Sequence, residues 1–206
     1  RIKYACDLIE EKALKMKEKY AFIENVITDY NIALNDEEVE AVYVLTPNYA
    51  HYTVTMDALK AGKHVLCEKP LAFTKRDVCE MFACAKERGR TLMACQSMRF
   101  TPDRLAAKDY IEQNGSDGIY YGELSRVRRR GIPTWGAFHM NKISCGGAFV
   151  DIGVHMVDAL VWLMGNPKIK SVKGVAMQNH KYEIGSLKGS GALTGSVDNA
   201  RVFDPE

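Results

Sequence analysis

At 206 residues the chain has the length of one large domain or two small ones, at roughly 150 residues per domain, and is too long for a peptide hormone or a stapled mini-protein. Hydrophobic residues make up 47% and charged residues 26%, the ordinary globular mixture, which excludes collagen-like, fibrous and wholly disordered chains. Lys and Arg number 28 against 26 Asp and Glu, a net charge of +2, too small for the long-range field on which non-specific nucleic-acid binding relies.

The first half reads as short β-rich runs alternating with helix-length amphipathic segments, the pattern of a parallel sheet flanked by helices. Strands are predicted over 2–7, 39–47, 64–68 and 91–96, with a brief one over 26–28. Helices are predicted over 8–19, 50–61, 74–88 and 102–113, where apolar residues recur at three-to-four spacing opposite Lys, Glu and Arg. Gly62 and Gly89 stand where helix C-terminal glycines belong. After Gly115 the style changes. Residues 119–132 read as a long strand, Gly146-Gly147 opens into a helix over 152–164 that Gly165-Asn166-Pro167 stops, and 168–177 reads as strand again. Residues 183–206 are Gly- and Ser-rich and read as loop. Two domains are expected, 1–97 and 98–206.

The longest apolar stretch, 148–164, is broken by Asp151, His155 and Asp158, so no membrane span is expected. Six cysteines with no C-x-x-C pair lie mostly in apolar runs and read as buried thiols of a reducing compartment, the cytoplasm. The basic run Arg128-Arg129-Arg130 reads either as a solvated strand face or as an anion site. No His, Cys or carboxylate cluster has metal-ligand spacing, so no metal is expected. The sequence begins at Arg1, without methionine or apolar leader, directly on a strand-like run, and is expected to be a piece of a longer protein.

Ligands of an open parallel sheet bind outside the carboxyl ends of its strands, so the residues leaving each strand are the candidates. The first strand ends in Asp7, a carboxylate placed to hold a ribose 2′-hydroxyl and repel a 2′-phosphate, which favours NAD over NADP. The second ends in Thr46-Pro47-Asn48 with His51 nearby, bringing hydroxyl, amide and imidazole to one rim. The third ends in Glu68-Lys69-Pro70, where proline keeps Lys69 extended. An ammonium fixed there could bond a substrate hydroxyl and relay its proton; the alternative is a solvated lysine in a turn. Farther on, Asp151 and His155 stand four apart, so on a helix the carboxylate can orient the imidazole for acid–base work. The alternatives are Asp151 as a helix N-cap and His155 as a satisfied core ring.

Taken together and in order, these motifs make the chain resemble the Gfo/Idh/MocA oxidoreductase family of glucose–fructose oxidoreductase and inositol dehydrogenase relatives. They are Cys6-Asp7, Thr46-Pro47-Asn48-Tyr49-Ala50-His51, the run from Ala61 through Gly62-Lys63-His64-Val65-Leu66-Cys67-Glu68-Lys69-Pro70 to Ala72, Arg99-Phe100, and Gly146-Gly147 through Asp151 and His155 to Asp158. The resemblance implies a Rossmann-type parallel sheet domain binding NAD(H) or NADP(H), followed by an α/β domain with a large, open, mostly antiparallel sheet. It also implies a homo-oligomer, a dimer or a tetramer. Lys69, Asp151 and His155 are then the catalytic group. Asp7, Thr46, Pro47, Asn48, His51, Glu68, Lys69 and Gln96 line the cofactor, and Arg99, Trp135 and His139 join Lys69, Asp151 and His155 around the substrate. The family's glycine-rich phosphate loop belongs before Cys6-Asp7 and its last strands after Glu206, so both are expected outside these residues.

The activity so implied is NAD-dependent hydride transfer at a secondary alcohol of a sugar, polyol or glycoside. Two alternatives stand beside it: glycoside hydrolysis through transient oxidation and elimination, and a non-catalytic regulator that senses sugar or NAD. Neither nucleic acid nor membrane is an expected partner.

Overall fold

Residues 1–115, 118–127 and 147–175 are described in the computed structural model. The chain divides into two units, one of Arg1–Thr46 and Ala50–Ala94, the other of Pro47–Tyr49 and Cys95–Glu206.

In the first unit strand and helix alternate: β1 (Ile2–Cys6), α1 (Glu10–Lys19), β2 (Ile23–Ile27), α2 (Tyr30–Leu34), β3 (Ala41–Val44), α3 (His51–Lys60), β4 (His64–Glu68), α4 (Lys75–Glu87) and β5 (Leu92–Cys95). β1 and β2 pair in parallel with Ile2 opposite Ile23 and Cys6 opposite Ile27. β3 and β4 pair in parallel with Ala41 opposite His64 and Val44 opposite Cys67, and β5 follows β4 in that sheet.

The period of two in β3 and β4 sends Val44, Val65 and Cys67 to one face. There they pack with Leu92 of β5, Ala58 and Leu59 of α3, and Met81, Cys84 and Ala85 of α4 in one core, which Leu34 joins. Leu59 and Met81 are wholly buried, each contributing about 1.5–3 kcal/mol by leaving water. Thr74 caps α4, its hydroxyl accepting from the Asp77 N–H at 3.1 Å. Gly62 and Gly89, with φ of 76° and 61°, follow α3 and α4 in the left-handed conformation that lets the chain turn into the next strand.

An electrostatic network ties β1 to the connection before β3. Lys3 Nζ lies 2.5 Å from Asp36 Oδ2, and the Tyr4 hydroxyl donates to the same oxygen at 2.7 Å. Buried Lys63 donates to the Asp36 carbonyl at 2.8 Å. Lys3 first, then Tyr4 and the Glu38 N–H, hold the Asp36 carboxyl well below its usual value of 3.8, at about 2. A carboxyl depressed by folding adds stability that is complete above its unfolded value and disappears as pH falls through the folded one. Thermal unfolding should therefore occur at progressively lower temperature between pH 4 and pH 2, with a shallower decline for Asp36→Asn. Parallel declines in a pH series of melting curves would contradict this coupling.

The second unit contains a 3-10 turn (Ser97–Phe100), α5 (Pro102–Asn114), a π-helical turn (Phe149–Gly153) and, continuing it, α6 (Val154–Leu163). Pro102 begins α5, where a missing N–H costs nothing. A Cβ on Gly122 would meet Leu160 Cδ1 at 2.6 Å, so the chain crosses α6 at a residue without a side chain.

Several expectations are corrected. Residues 119–127 and 167–175 carry no hydrogen-bonded strand. Tyr120, Val127, Val172 and Val175 are almost fully exposed, and β-rich residues without a partner strand do not make a ladder. The remainder of both predicted strands, Arg128-Arg129-Arg130, Cys145 and residues 183–206 lie outside the described residues. β2 starts three residues before the predicted 26–28, and α2 was not foreseen. Cys67 and Cys84 are buried as expected, but Cys6 and Cys79 are exposed, and no disulfide joins two of the five described cysteines. No helix among the described residues is long and apolar enough to cross a membrane.

Candidate functional site

In the first unit, Asp7, Thr46 and Glu68-Lys69 lie at the carboxyl ends of β1, β3 and β4. Asp7 follows β1, its N–H donating to the Ile27 carbonyl at 3.3 Å, which carries the β2 pairing one residue further. Its Oδ1 accepts from the Ile9 N–H at 2.8 Å, which orients the carboxylate at the entrance to α1. Beyond β3, the Thr46 side-chain oxygen is buried without a protein partner among the described residues. Such an atom is costly unless something else bonds it.

The exit of β4 is held by several hydrogen bonds. Glu68 Oε1 accepts the Tyr43 hydroxyl at 2.9 Å and Oε2 the Lys69 N–H at 3.2 Å. The Lys69–Pro70 peptide bond is cis, and the Pro70 carbonyl lies 2.6 Å from His51 Nδ1. Tyr43 was not singled out from the sequence. The signal was there: the β3–β4 register sets Tyr43 opposite Leu66, and Glu68, two residues on, shares that face.

His51 makes its contacts with the main chain. It is the first residue of α3 and only 1% exposed. Its Nε2 lies 2.8 Å from the Thr46 carbonyl and its Nδ1 on that of Pro70. Both ring nitrogens are thus engaged with main chain, and neither is left for a cofactor, because the helix start points the ring inward between two strand exits.

The second unit holds the other expected residues. Gln96 follows β5, and its Oε1 is buried without a protein partner among the described residues. Asn48 is 9% exposed within a 3-10 turn (Asn48–Ala50), whereas Pro47 is exposed. Asp151 lies inside the π turn and His155 in the first turn of α6, both half-buried. Ala148 is already helical, with φ −61° and ψ −30°, so Asp151 is not an N-cap. A π-helical turn, with its i to i+5 bonds, recurs at functional sites.

Arg99 is paired within the second unit. Its Nε donates to Asp158 Oδ2 at 2.7 Å and its Nη2 to Oδ1 at 2.5 Å, and its guanidinium lies 5.5 Å from the Trp162 ring centre. Lys108 lies 5.6 Å from the same ring. The fork geometry that suits Arg to a substrate anion is satisfied by a carboxylate of α6 instead, and this pairing holds the Arg99 guanidinium above its ordinary pKa. Trp135 and His139 lie outside the described residues. Among those described, no group of His, Cys, Asp and Glu is arranged to hold a metal.

A dinucleotide fits part of what is present. Asp7 offers a second carboxylate oxygen to a ribose, and the buried oxygens of Thr46 and Gln96 each require a partner. Residues 1–6 contain no glycine, so they supply no glycine-rich phosphate loop.

The comparisons agree in both halves. Residues 1–96 match the model described as oxidoreductase family, NAD-binding Rossmann fold, and residues 108–186 match its C-terminal alpha/beta domain. D-glucoside 3-dehydrogenase of Escherichia coli is 34% identical over 186 residues, 90% of this chain and 52% of that protein. Inositol 2-dehydrogenase/D-chiro-inositol 3-dehydrogenase of Lactiplantibacillus plantarum is 28% identical over 202 residues, 98% of this chain and 51% of its own length. The structure of levoglucosan dehydrogenase with NADH and levoglucosan superposes with a TM-score of 0.68 at 28% identity, covering 79% of this chain and 45% of that one. The two matched domains are an NAD-binding Rossmann domain and the α/β domain that follows it. The chain belongs to the Gfo/Idh/MocA oxidoreductase family, and it spans about half the length of the relatives it matches.

Proposed function

We propose that the protein containing this chain is an NAD-dependent oxidoreductase acting on a secondary alcohol of a sugar, polyol or glycoside. The observation that carries this reading is the match of both family domains, in order, to a chain whose strand exits present Asp7, Thr46 and Glu68-Lys69-Pro70. When bound, the nicotinamide supplies the hydride acceptor or donor. Within the first unit, Asp7 takes the ribose hydroxyls, Thr46 adds a buried hydroxyl, and Lys69 takes the proton of the alcohol. Within the second, Asp151 orients His155 for acid–base work, while Asn48 and Gln96 add polar contacts to the cofactor. A reducing compartment, the cytoplasm, suits the free thiols, and the dimer or tetramer that the resemblance implies belongs to the same proposal.

The test is NADH formation at its absorbance band when the full-length protein meets NAD with D-glucosides, inositols and 1,6-anhydro sugars. Turnover with at least one substrate supports the reading. Aglycone release from a chromogenic glycoside without NADH would replace it with transient-oxidation hydrolysis, and binding without turnover with a sensor.

Cofactor choice gives a separate prediction. Asp7→Asn keeps the acceptor for the Ile9 N–H but removes the charge that repels a 2′-phosphate. The ratio of kcat/KM for NADP to that for NAD should rise about 10- to 100-fold, the value of one charged hydrogen bond. An unchanged ratio would remove Asp7 from the cofactor site.

A further inference from the structure

We infer that His51 is a positioning residue that sets the Lys69–Pro70 turn from inside the core. The inference rests on Lys69 being the proton-transfer group. Four observations carry it. The ring is 1% exposed, so water cannot stand in for its partners. Its two nitrogens reach two different strand exits, Nε2 the Thr46 carbonyl at 2.8 Å after β3 and Nδ1 the Pro70 carbonyl at 2.6 Å after β4. His51 opens α3, whose Ala58 and Leu59 belong to the packed core, so the ring stands on a rigid element. The residue it holds by the carbonyl, Pro70, directly follows Lys69.

Glu68 holds the same turn, taking the Tyr43 hydroxyl and the Lys69 N–H. The Lys69 backbone is therefore held both by the Glu68 carboxylate and, through Pro70, by the His51 imidazole. A misplacement on the order of 1 Å at a reacting group costs about 10²-fold in rate, so His51 matters to catalysis without touching substrate or cofactor.

Three substitutions in the full-length protein separate this role from simple packing. Asn retains a polar atom near the Nδ1 position, toward Pro70; Gln retains one near Nε2, toward Thr46; Phe fills the ring volume and donates to neither. Lys69→Ala is assayed beside them, with melting temperature recorded for all. The expected result is a kcat loss of about 10- to 100-fold for His51→Phe, a similar loss for His51→Gln, a smaller one for His51→Asn, and little change in the KM for NAD. Acylation of the Lys69 amine in the cofactor-free protein, followed by peptide mass spectrometry against pH, should shift for Phe and Gln and stay close to wild type for Asn.

Equal kcat losses for Asn and Gln that follow only melting temperature, or unchanged Lys69 labelling in all variants, would overturn the inference while Lys69→Ala remained inactive. An active Lys69→Ala would overturn the catalytic reading itself, a distinguishable outcome. If His51→Phe does not fold, the Asn and Gln pair decides.

Discussion

Replacing Lys69 by alanine is expected to lower kcat by about 10²- to 10⁴-fold, the usual value of a positioned proton-transfer group, with NADH affinity close to wild type. The expectation comes from where the residue stands. It leaves β4 at the carboxyl end of a parallel strand, its N–H bonded to Glu68 and its neighbour Pro70 held by His51. A lysine left to a solvated turn would have no need of such bracing. Lys69→Arg should not restore activity, because a guanidinium does not give up its proton in a protein. Stopped-flow or steady-state NADH absorbance gives kcat, and quenching of NADH fluorescence gives the affinity. Wild-type turnover in Lys69→Ala would end the assignment.

The second large effect is on stability. Asp158→Ala should destabilise the protein by about 1–3 kcal/mol, less than the 3–5 kcal/mol of a fully buried broken pair because the Arg99 side chain is a third exposed and partly screened. At about 2–4 °C per kcal/mol for a chain of this size, melting should fall on the order of 3–10 °C. The cause is the guanidinium left over Trp162 without its carboxylate. The double variant Arg99→Met/Asp158→Leu should recover much of the loss, since it removes both charges together. Were Arg99 instead a substrate contact, Arg99→Met alone would raise KM with little effect on melting, and differential scanning fluorimetry beside a KM measurement separates the two.

The sequence was legible where a signal is local. Alternating β-rich and amphipathic runs placed five strands and their helices close to where they stand, because the period of each element is written in neighbouring residues. The Glu68-Lys69-Pro70 turn and the Asp151 to His155 helix were legible for the same reason. α2 was not, because five residues make barely more than one turn and carry no periodicity to count. Residues 119–127 show the converse limit. Their β-rich composition was read correctly, but a strand exists only against a partner.

The same limit governs side chains whose partners lie far along the chain. The partners of His51 are carbonyls of residues five before it and 19 after it, which meet only once β3 and β4 have paired. Arg99 finds Asp158 across 59 residues, a distance no spacing rule spans. Both residues look like site groups in sequence because they are polar and flank a motif. In the fold each is committed to holding protein together, one beneath the Lys69 turn and one against α6.

The most direct test of the oxidoreductase reading is the primary deuterium isotope effect on NADH formation by the full-length protein, using a polyol or glycoside labelled at the carbinol carbon. Breaking that C–H bond in the chemical step predicts several-fold slower single-turnover NADH formation with the labelled substrate. The same rate for both isotopologues under conditions where chemistry limits, or substrate consumption with no NADH absorbance at all, would contradict it.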